Sequence, residues 1–192
     1  VRFGGDMSVG AFGIANRIVF IFVMFVMGIN QGMQPIAGYN YGAQKLDRMM
    51  QVVKLSIIAA TVIMILGWFL AMLAPRQCVS LFTTDQHLIE TTVHGMRRMM
   101  LMLPIVGYQM GITNFFQCIG KVKISIFLSL SRQLLFLLPA LALLPIWFGL
   151  DGVWLAQPVS DFIASVVTAW IMIVYMHKFK LQHKENQYGR QE

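Results

Sequence analysis

Five long apolar segments are the feature that most constrains the fold of this chain. They cover about residues 9–35, 55–74, 99–119, 124–150 and 152–176. A bilayer core about 30 Å thick is crossed by about 20 predominantly apolar residues in an α-helix. Helices suit this environment because each one satisfies its own backbone hydrogen bonds. The sequence therefore predicts an all-α integral membrane protein with five transmembrane helices.

The composition excludes an ordinary soluble domain. Of the 192 residues, 57% are hydrophobic and only 12% are charged, and the mean hydropathy is +0.67. Soluble domains are typically about 25% charged. The formal net charge is +7, but the basic residues lie between apolar segments and at the C-terminus rather than on one polar face. That distribution argues against nucleic acid as a partner and in favour of a lipid bilayer.

The basic residues also predict an orientation. They follow the first and third segments and fill the C-terminal tail: Lys45, Arg48, Lys54, Lys121, Lys123, Lys178, Lys180, Lys184 and Arg190. By the positive-inside rule these regions are cytoplasmic. We therefore expect a multi-pass protein of the plasma (inner) membrane that starts outside and ends in a cytoplasmic polar tail, 181–192. Arg97 and Arg98 lie on the outer side, where only snorkelling toward the headgroups accounts for them.

Polar residues within the third segment fall on one helical face. Gln109, Thr113, Gln117 and Gly120 follow each other at helical spacing, beside a stripe formed by Gly107, Gly111, Asn114 and Cys118. Small residues permit two membrane helices to approach closely. The amides either bond to neighbouring helices or line a solute path, and the sequence leaves both interpretations open.

Two charges lie deep in the last two segments. Arg132 lies about 12 Å in from the cytoplasmic side and Asp161 about 14 Å in from the outer side, at the helical rise per residue. The two segments are consecutive and antiparallel, so these depths nearly coincide. Because an unpaired charge is costly at this depth, we predict that Arg132 and Asp161 pair or share a water-filled cavity. The pair is either structural or part of a proton or ion relay.

The end of the first segment carries a polar, flexible stretch. Gln34 and Pro35 are followed by Gly38, Asn40 and Gly42. We predict that the helix ends near Pro35 and that the two glycines and Asn40 form a turn that shapes an inner gate. Pro158, in the fifth segment, is a second candidate hinge.

Catalytic signatures are missing from the sequence. There is no P-loop and no G-x-S-x-G, and none of the four histidines belongs to an H-E-x-x-H pair. We therefore expect no catalytic residues, no metal site and no enzyme.

Several landmarks resemble the second half of a multidrug and toxic compound extrusion (MATE) transporter. They are Gly4-Gly5-Asp6, Ala15-Asn16-Arg17-Ile18, Gly32 to Gln34-Pro35, Gly38, Asn40, Gly42-Ala43, Arg48, Gly120-Lys121, Ser131-Arg132-Gln133, and Gly152-Val153-Trp154 with Pro158 and Asp161. The resemblance implies that residues 1–180 are helices eight to twelve of a twelve-helix transporter with two lobes. The N-terminal lobe would then be missing from this chain, which begins with a valine and has an odd number of segments.

The resemblance also implies a function for the full-length protein. Members of the family export cationic, amphipathic organic compounds in exchange for Na⁺ or H⁺ by alternating access, without a further cofactor. The candidate substrate or ion path comprises Gln34, Asn40, Gln109, Asn114, Gln117 and Asp161. Some members carry an acidic residue in the tenth helix, and the third segment here has none, so the coupling ion is left open. The alternatives are a lipid-linked oligosaccharide flippase of the same superfamily and a non-transporting membrane fragment.

Overall fold

The computed structural model describes residues 5–188, except for the side chains of Asp6 and of residues 178–188. This part of the chain is helical and contains no strand. It forms α1 (Gly5–Gly42), α2 (Leu46–Leu73), α3 (Pro75–Ser80), α4 (Gln86–Met99), α5 (Leu103–Cys118), α6 (Val122–Leu130), a π-helical segment (Ser131–Leu137), α7 (Leu138–Phe148) and α8 (Leu150–Tyr188). The side chains of the predicted polar tail, 181–192, lie outside the described residues.

Four helical stretches are long and apolar enough to cross a membrane. They are Met7–Gly42, Leu46–Leu73, Val122–Phe148 and Leu150–His177. A fifth crossing is formed when α4 and α5 are taken together, although they meet at an angle of 55°. The 16 residues of α5 alone reach only about 24 Å, short of a bilayer core about 30 Å thick. The predicted all-α membrane fold is confirmed, with four spans and a fifth where α4 and α5 together count as one; the predicted single helix over 99–119 is this bent pair.

The first helix does not end near Pro35, so the predicted turn at Gly38 and Asn40 is wrong. Helix α1 continues to Gly42, and Asn40 Nδ2 donates to Ile36 O within it, at 2.8 Å. A proline removes only one donor from a helix, and neighbouring turns keep their bonds. In an apolar span, ending the helix would expose many more polar backbone groups.

The turn instead lies at 43–45. Lys45 N donates to Asn40 O at 2.9 Å and Gln44 N donates to Tyr41 O at 3.1 Å, with Gln44 at a φ of 57°. These two bonds form a Schellman motif, which closes a helix on a residue in the left-handed region. The left-handed position of this motif usually holds glycine, but here it holds Gln44. The prediction placed the turn too early because it relied on Gly38 and Gly42.

Close packing of α5 on α2 depends on two glycines. A Cβ atom on Gly107 would lie 2.8 Å from Ala60 O and from Thr61 Cα, and one on Gly111 would lie 2.7 Å from Ile57 Cγ1. Both distances are shorter than a real Cβ atom tolerates. Helix α5 can therefore approach α2 this closely only because positions 107 and 111 carry no side chain. The small-residue stripe therefore does what its spacing predicts at these two positions.

Helices α1 and α5 run side by side in a fixed register. Gln34 Nε2 donates to Asn114 Oδ1 at 2.7 Å, and one turn further on a Cβ atom at Gly38 would lie 3.6 Å from Cys118 O. Both contacts join residues that are 80 positions apart. Residues one turn earlier, at 30 and 110, therefore lie at a common level.

Ion pairs fasten α4 to α3 and to the start of α8. Arg98 forms an ion pair with Asp151, and Arg76 Nη2 lies 3.1 Å from Glu90 Oε1. The buried ring of Trp154 covers Gly95, where an added Cβ atom would overlap the indole. The ion pair accounts for Arg98, which the charge rule did not explain.

Candidate functional site

A polar cavity opens among α1, α5, α6 and the π-helical segment. Its volume is about 280 Å³. It is lined by Met27, Gln109, Met110, Thr113, Asn114, Leu128, Ser129, Arg132 and Gln133. Apolar side chains therefore alternate with amides, hydroxyls and one guanidinium. An interior of this kind, set among apolar helices, is where an intramembrane solute site is expected.

Arg132 is held from α8 in two ways. Its Nε donates to Asp161 Oδ1 at 2.8 Å, and Ser160 Oγ donates to the backbone carbonyl of Arg132 at 2.9 Å. The predicted proximity of Arg132 and Asp161 is what the structure shows. The serine contact was not foreseen, although Ser160 is the immediate neighbour of the charged residue.

The backbone at Arg132 is π-helical rather than α-helical. At the end of the segment, Leu138 N bonds to Gln133 O, five residues back. Pro139, in the first turn of α7, has no N–H to give to the carbonyl four residues earlier, so the α-helical ladder is already interrupted there. Short π-helical stretches occur mostly as bulges in α-helices and often at functional sites. Pro139 is a sequence signal for the interruption, although it does not show that the backbone becomes π-helical.

On the opposite wall, Asn114 joins α5 to α1. Its Oδ1 accepts the bond from Gln34, and its own Nδ2 donates to Met110 O at 2.9 Å. Tyr108, on the same helix, donates its hydroxyl to Ser165 O of α8 at 2.9 Å. Asn114 thus bonds to a neighbouring helix and also lines the cavity, while a solute path along the amides of α5 stays a prediction.

Two buried amides lack partners among the described residues. Both polar atoms of the Asn30 side chain and Oε1 of Gln109 are buried without a hydrogen bond, and the two residues are 2% and 3% exposed. The register of α1 and α5 places Asn30 level with Met110, beside Gln109. Sequence reasoning missed Asn30. Its position one helical turn before Gln34 was the available signal.

The structure brings together only part of the predicted path. Gln109, Asn114 and Arg132 line the cavity, while Gln34 and Asp161 each bond to a residue that lines it. Asn40 bonds within α1 near the C-terminal end of that helix, and Gln117 is exposed; neither residue lines the cavity. Pro35, Gly38 and Pro158 all lie inside helices, and Gly42 ends one. Their role as gate or hinge stays a prediction.

Comparison with known sequences gives a family. The MatE family model matches residues 1–141. The multidrug export protein MepA of Staphylococcus aureus (strain MSSA476) is 26% identical over 177 residues, which are 92% of this chain and 38% of that protein. MepA of Staphylococcus haemolyticus (strain JCSC1435) is 26% identical over 167 residues, which are 85% of this chain and 36% of that protein.

Solved structures agree with that result. The MATE multidrug transporter DinF-BH, solved in a ligand complex, has a TM-score of 0.79 and 40% identity, over 90% of this chain and 39% of its own. A MATE protein in its bent conformation has a TM-score of 0.86 at 21% identity, a likeness of fold, over 94% of this chain and 40% of its own. The chain thus spans about two fifths of the length of these proteins. Since the family model covers most of the chain, and sequence, fold and structural neighbours agree, the chain belongs to the multidrug and toxic compound extrusion (MATE) family of membrane transporters.

Proposed function

We propose that this chain is most of the C-terminal lobe, helices eight to twelve, of a secondary antiporter. The full-length protein would export cationic, amphipathic organic compounds in exchange for Na⁺ or H⁺ by alternating access. The observation that carries the proposal is the cavity of about 280 Å³ that places amides and a guanidinium inside apolar helices of the MATE fold. The MepA proteins are named for multidrug export and DinF-BH is named a multidrug transporter, which supports the substrate class.

The lining of the cavity suits varied substrates better than one. Met27 and Met110 face it together with Leu128. Methionine is flexible and polarizable, and it adapts to apolar groups of different shape. Promiscuous binding surfaces use such side chains because they can repack around each ligand.

A flippase for a lipid-linked oligosaccharide has less support. A pyrophosphate carries several negative charges, and several arginines would be needed to neutralise it. Among the described residues, the cavity is lined by a single guanidinium, that of Arg132. The exporter therefore remains the proposal.

The coupling carboxylate is expected in the upstream lobe. Asp161 is the one acid deep within the last two spans, and its side chain is only 6% exposed and already bonded to Arg132. A carboxylate that binds and releases a coupling ion needs access to water on both sides in turn. Asp161 is better suited to holding Arg132 in place.

Transport by the full-length protein in sealed vesicles tests the proposed function. The probe is rhodamine 6G, a cationic amphipathic dye, and a Na⁺ or H⁺ gradient is imposed across the membrane. We expect dye movement that depends on one of the two gradients and stops when an ionophore collapses it. Vesicles without the protein supply the baseline. Absence of gradient-dependent movement of any cationic dye would contradict the exporter.

A further inference from the structure

The ion pair between Arg132 and Asp161 presents only one of its ends to the cavity. The Arg132 side chain is 27% exposed and lines the cavity, whereas the Asp161 side chain is 6% exposed and lies behind it. A pair that is neutral as a whole therefore shows its positive end to whatever enters. Among the described residues that line the cavity, none is acidic.

The guanidinium also keeps donors to spare. A guanidinium has five N–H groups, and the bond from Nε to Asp161 uses one of them. Ser129, Gln109 and Gln133 add a hydroxyl and two amides to the same lining. A carboxylate binds well where several hydrogen-bond donors surround a positive charge, because hydrogen bonds between ionised groups are short and strong.

Arg132 is fixed before any ligand arrives. Its side chain is tied to Asp161 and its backbone carbonyl to Ser160, both on α8. A group held in advance loses less conformational entropy when it binds. Its charge also acts more strongly among apolar helices than in water.

We propose that this cavity binds the carboxylate of a zwitterionic amphiphilic substrate and that Arg132 decides specificity for it. The inference rests on the proposed export function and narrows its substrate class. The cationic end of such a substrate would lie away from Arg132, which repels it. A volume of about 280 Å³ is below the range of about 300–1,000 Å³ typical of drug-sized sites, so the cavity takes one end of the ligand.

Two dyes that differ in one group test the proposal. Rhodamine 110 is a free carboxylic acid, and rhodamine 123 is its methyl ester, with the same cationic xanthene. The full-length protein is compared with the double variant Arg132→Gln/Asp161→Asn, which removes the guanidinium without leaving a buried carboxylate unpaired. We expect gradient-driven transport of rhodamine 110 to fall at least about tenfold and that of rhodamine 123 to fall no more than about threefold.

A matched control separates this site from a general loss of charge. Arg17→Gln removes an arginine of α1 that lines a different cavity, with Asn16, Phe20 and Phe82. We expect it to leave the ratio of the two transport rates as in the wild type. Equal losses of both dyes in the double variant would overturn the carboxylate site and leave the exporter standing. Failure of the wild type to move either dye would instead count against the exporter.

Equilibrium binding gives a readout that does not need transport. Fluorescence anisotropy of each dye with the purified full-length protein is expected to show a dissociation constant for rhodamine 110 that rises at least about tenfold in the double variant. Sodium benzoate is expected to displace rhodamine 110 from the wild type. Stronger displacement by sn-glycerol 3-phosphate would indicate a lipid phosphate site and would overturn the assignment to a substrate carboxylate.

Discussion

At the scale of single residues, Gly107 shows how little room α5 leaves beside α2. A Cβ atom there meets backbone atoms of Ala60 and Thr61, which cannot move aside as a flexible side chain can. Overpacking of this kind typically costs about 1–3 kcal/mol. Gly107→Ala is therefore expected to lower the midpoint of thermal unfolding of the purified protein.

The matched control for this substitution is Gly28→Ala. A Cβ atom at Gly28, inside α1, meets nothing within 4 Å. Alanine is favoured over glycine in a helix by about 1 kcal/mol, so this variant is expected to be neutral or slightly more stable. An unchanged midpoint for Gly107→Ala would show that α2 and α5 separate easily at this contact.

The charged residues show which parts of the site a sequence can reveal. The pairing of Arg132 and Asp161 was predicted because, in two consecutive antiparallel helices, the depth of each residue follows from its distance along the helix. Asn30 was missed because a single amide in an apolar run resembles an ordinary helix contact. The bond from Ser160 was missed because its acceptor is a backbone carbonyl, which no side-chain pattern marks.

At the scale of elements, apolar length predicted the spans, and one proline coincides with a break that was not predicted. Pro104 lies in the first turn of α5, where its missing N–H costs nothing. The residues before it, 100–102, leave the helix, and the crossing bends there by 55°. Pro35 and Pro158 have the same chemistry, yet α1 and α8 run through them. The presence of a proline alone therefore does not decide whether a span breaks.

The π-helical segment offers an element-scale prediction. Ser160→Ala removes the hydroxyl that donates to Arg132 O, and a hydrogen bond of this kind is worth about 1 kcal/mol. We expect a lower midpoint of thermal unfolding and faster amide hydrogen exchange in residues 131–137. Thr168→Ala is the control because its hydroxyl bonds to Ala164 O, within its own helix. Equal effects of the two variants would argue against a special role of Ser160.

At the scale of the whole molecule, the chain is covered by apolar side chains that are exposed in isolation. Leu73, Trp147 and Ile173 are among the most exposed of them. In a membrane protein of the MATE family, contact with lipid accounts for such a surface. Contact with water does not account for it, which agrees with the membrane fold.

The proposed orientation is a prediction about the whole molecule. With the native cysteines removed, Thr84→Cys marks the loop between α3 and α4, and Ala43→Cys marks the turn after α1. Both positions are exposed. If the C-terminus is cytoplasmic, a membrane-impermeant maleimide added to intact cells labels the thiol introduced at 84 and reaches the one at 43 only after permeabilisation. The reverse result would invert the topology.

The π-helical segment also bears on how such lobes diverge. A π turn holds one residue more than an α turn, and each residue of an α-helix rotates the chain by about 100°. A relative with one residue fewer between α6 and α7 would turn one half of that span against the other. It would present a different side chain at the cavity without a single substitution. Insertions and deletions, as well as point changes, are therefore a route by which a lobe of this kind acquires a new ligand preference.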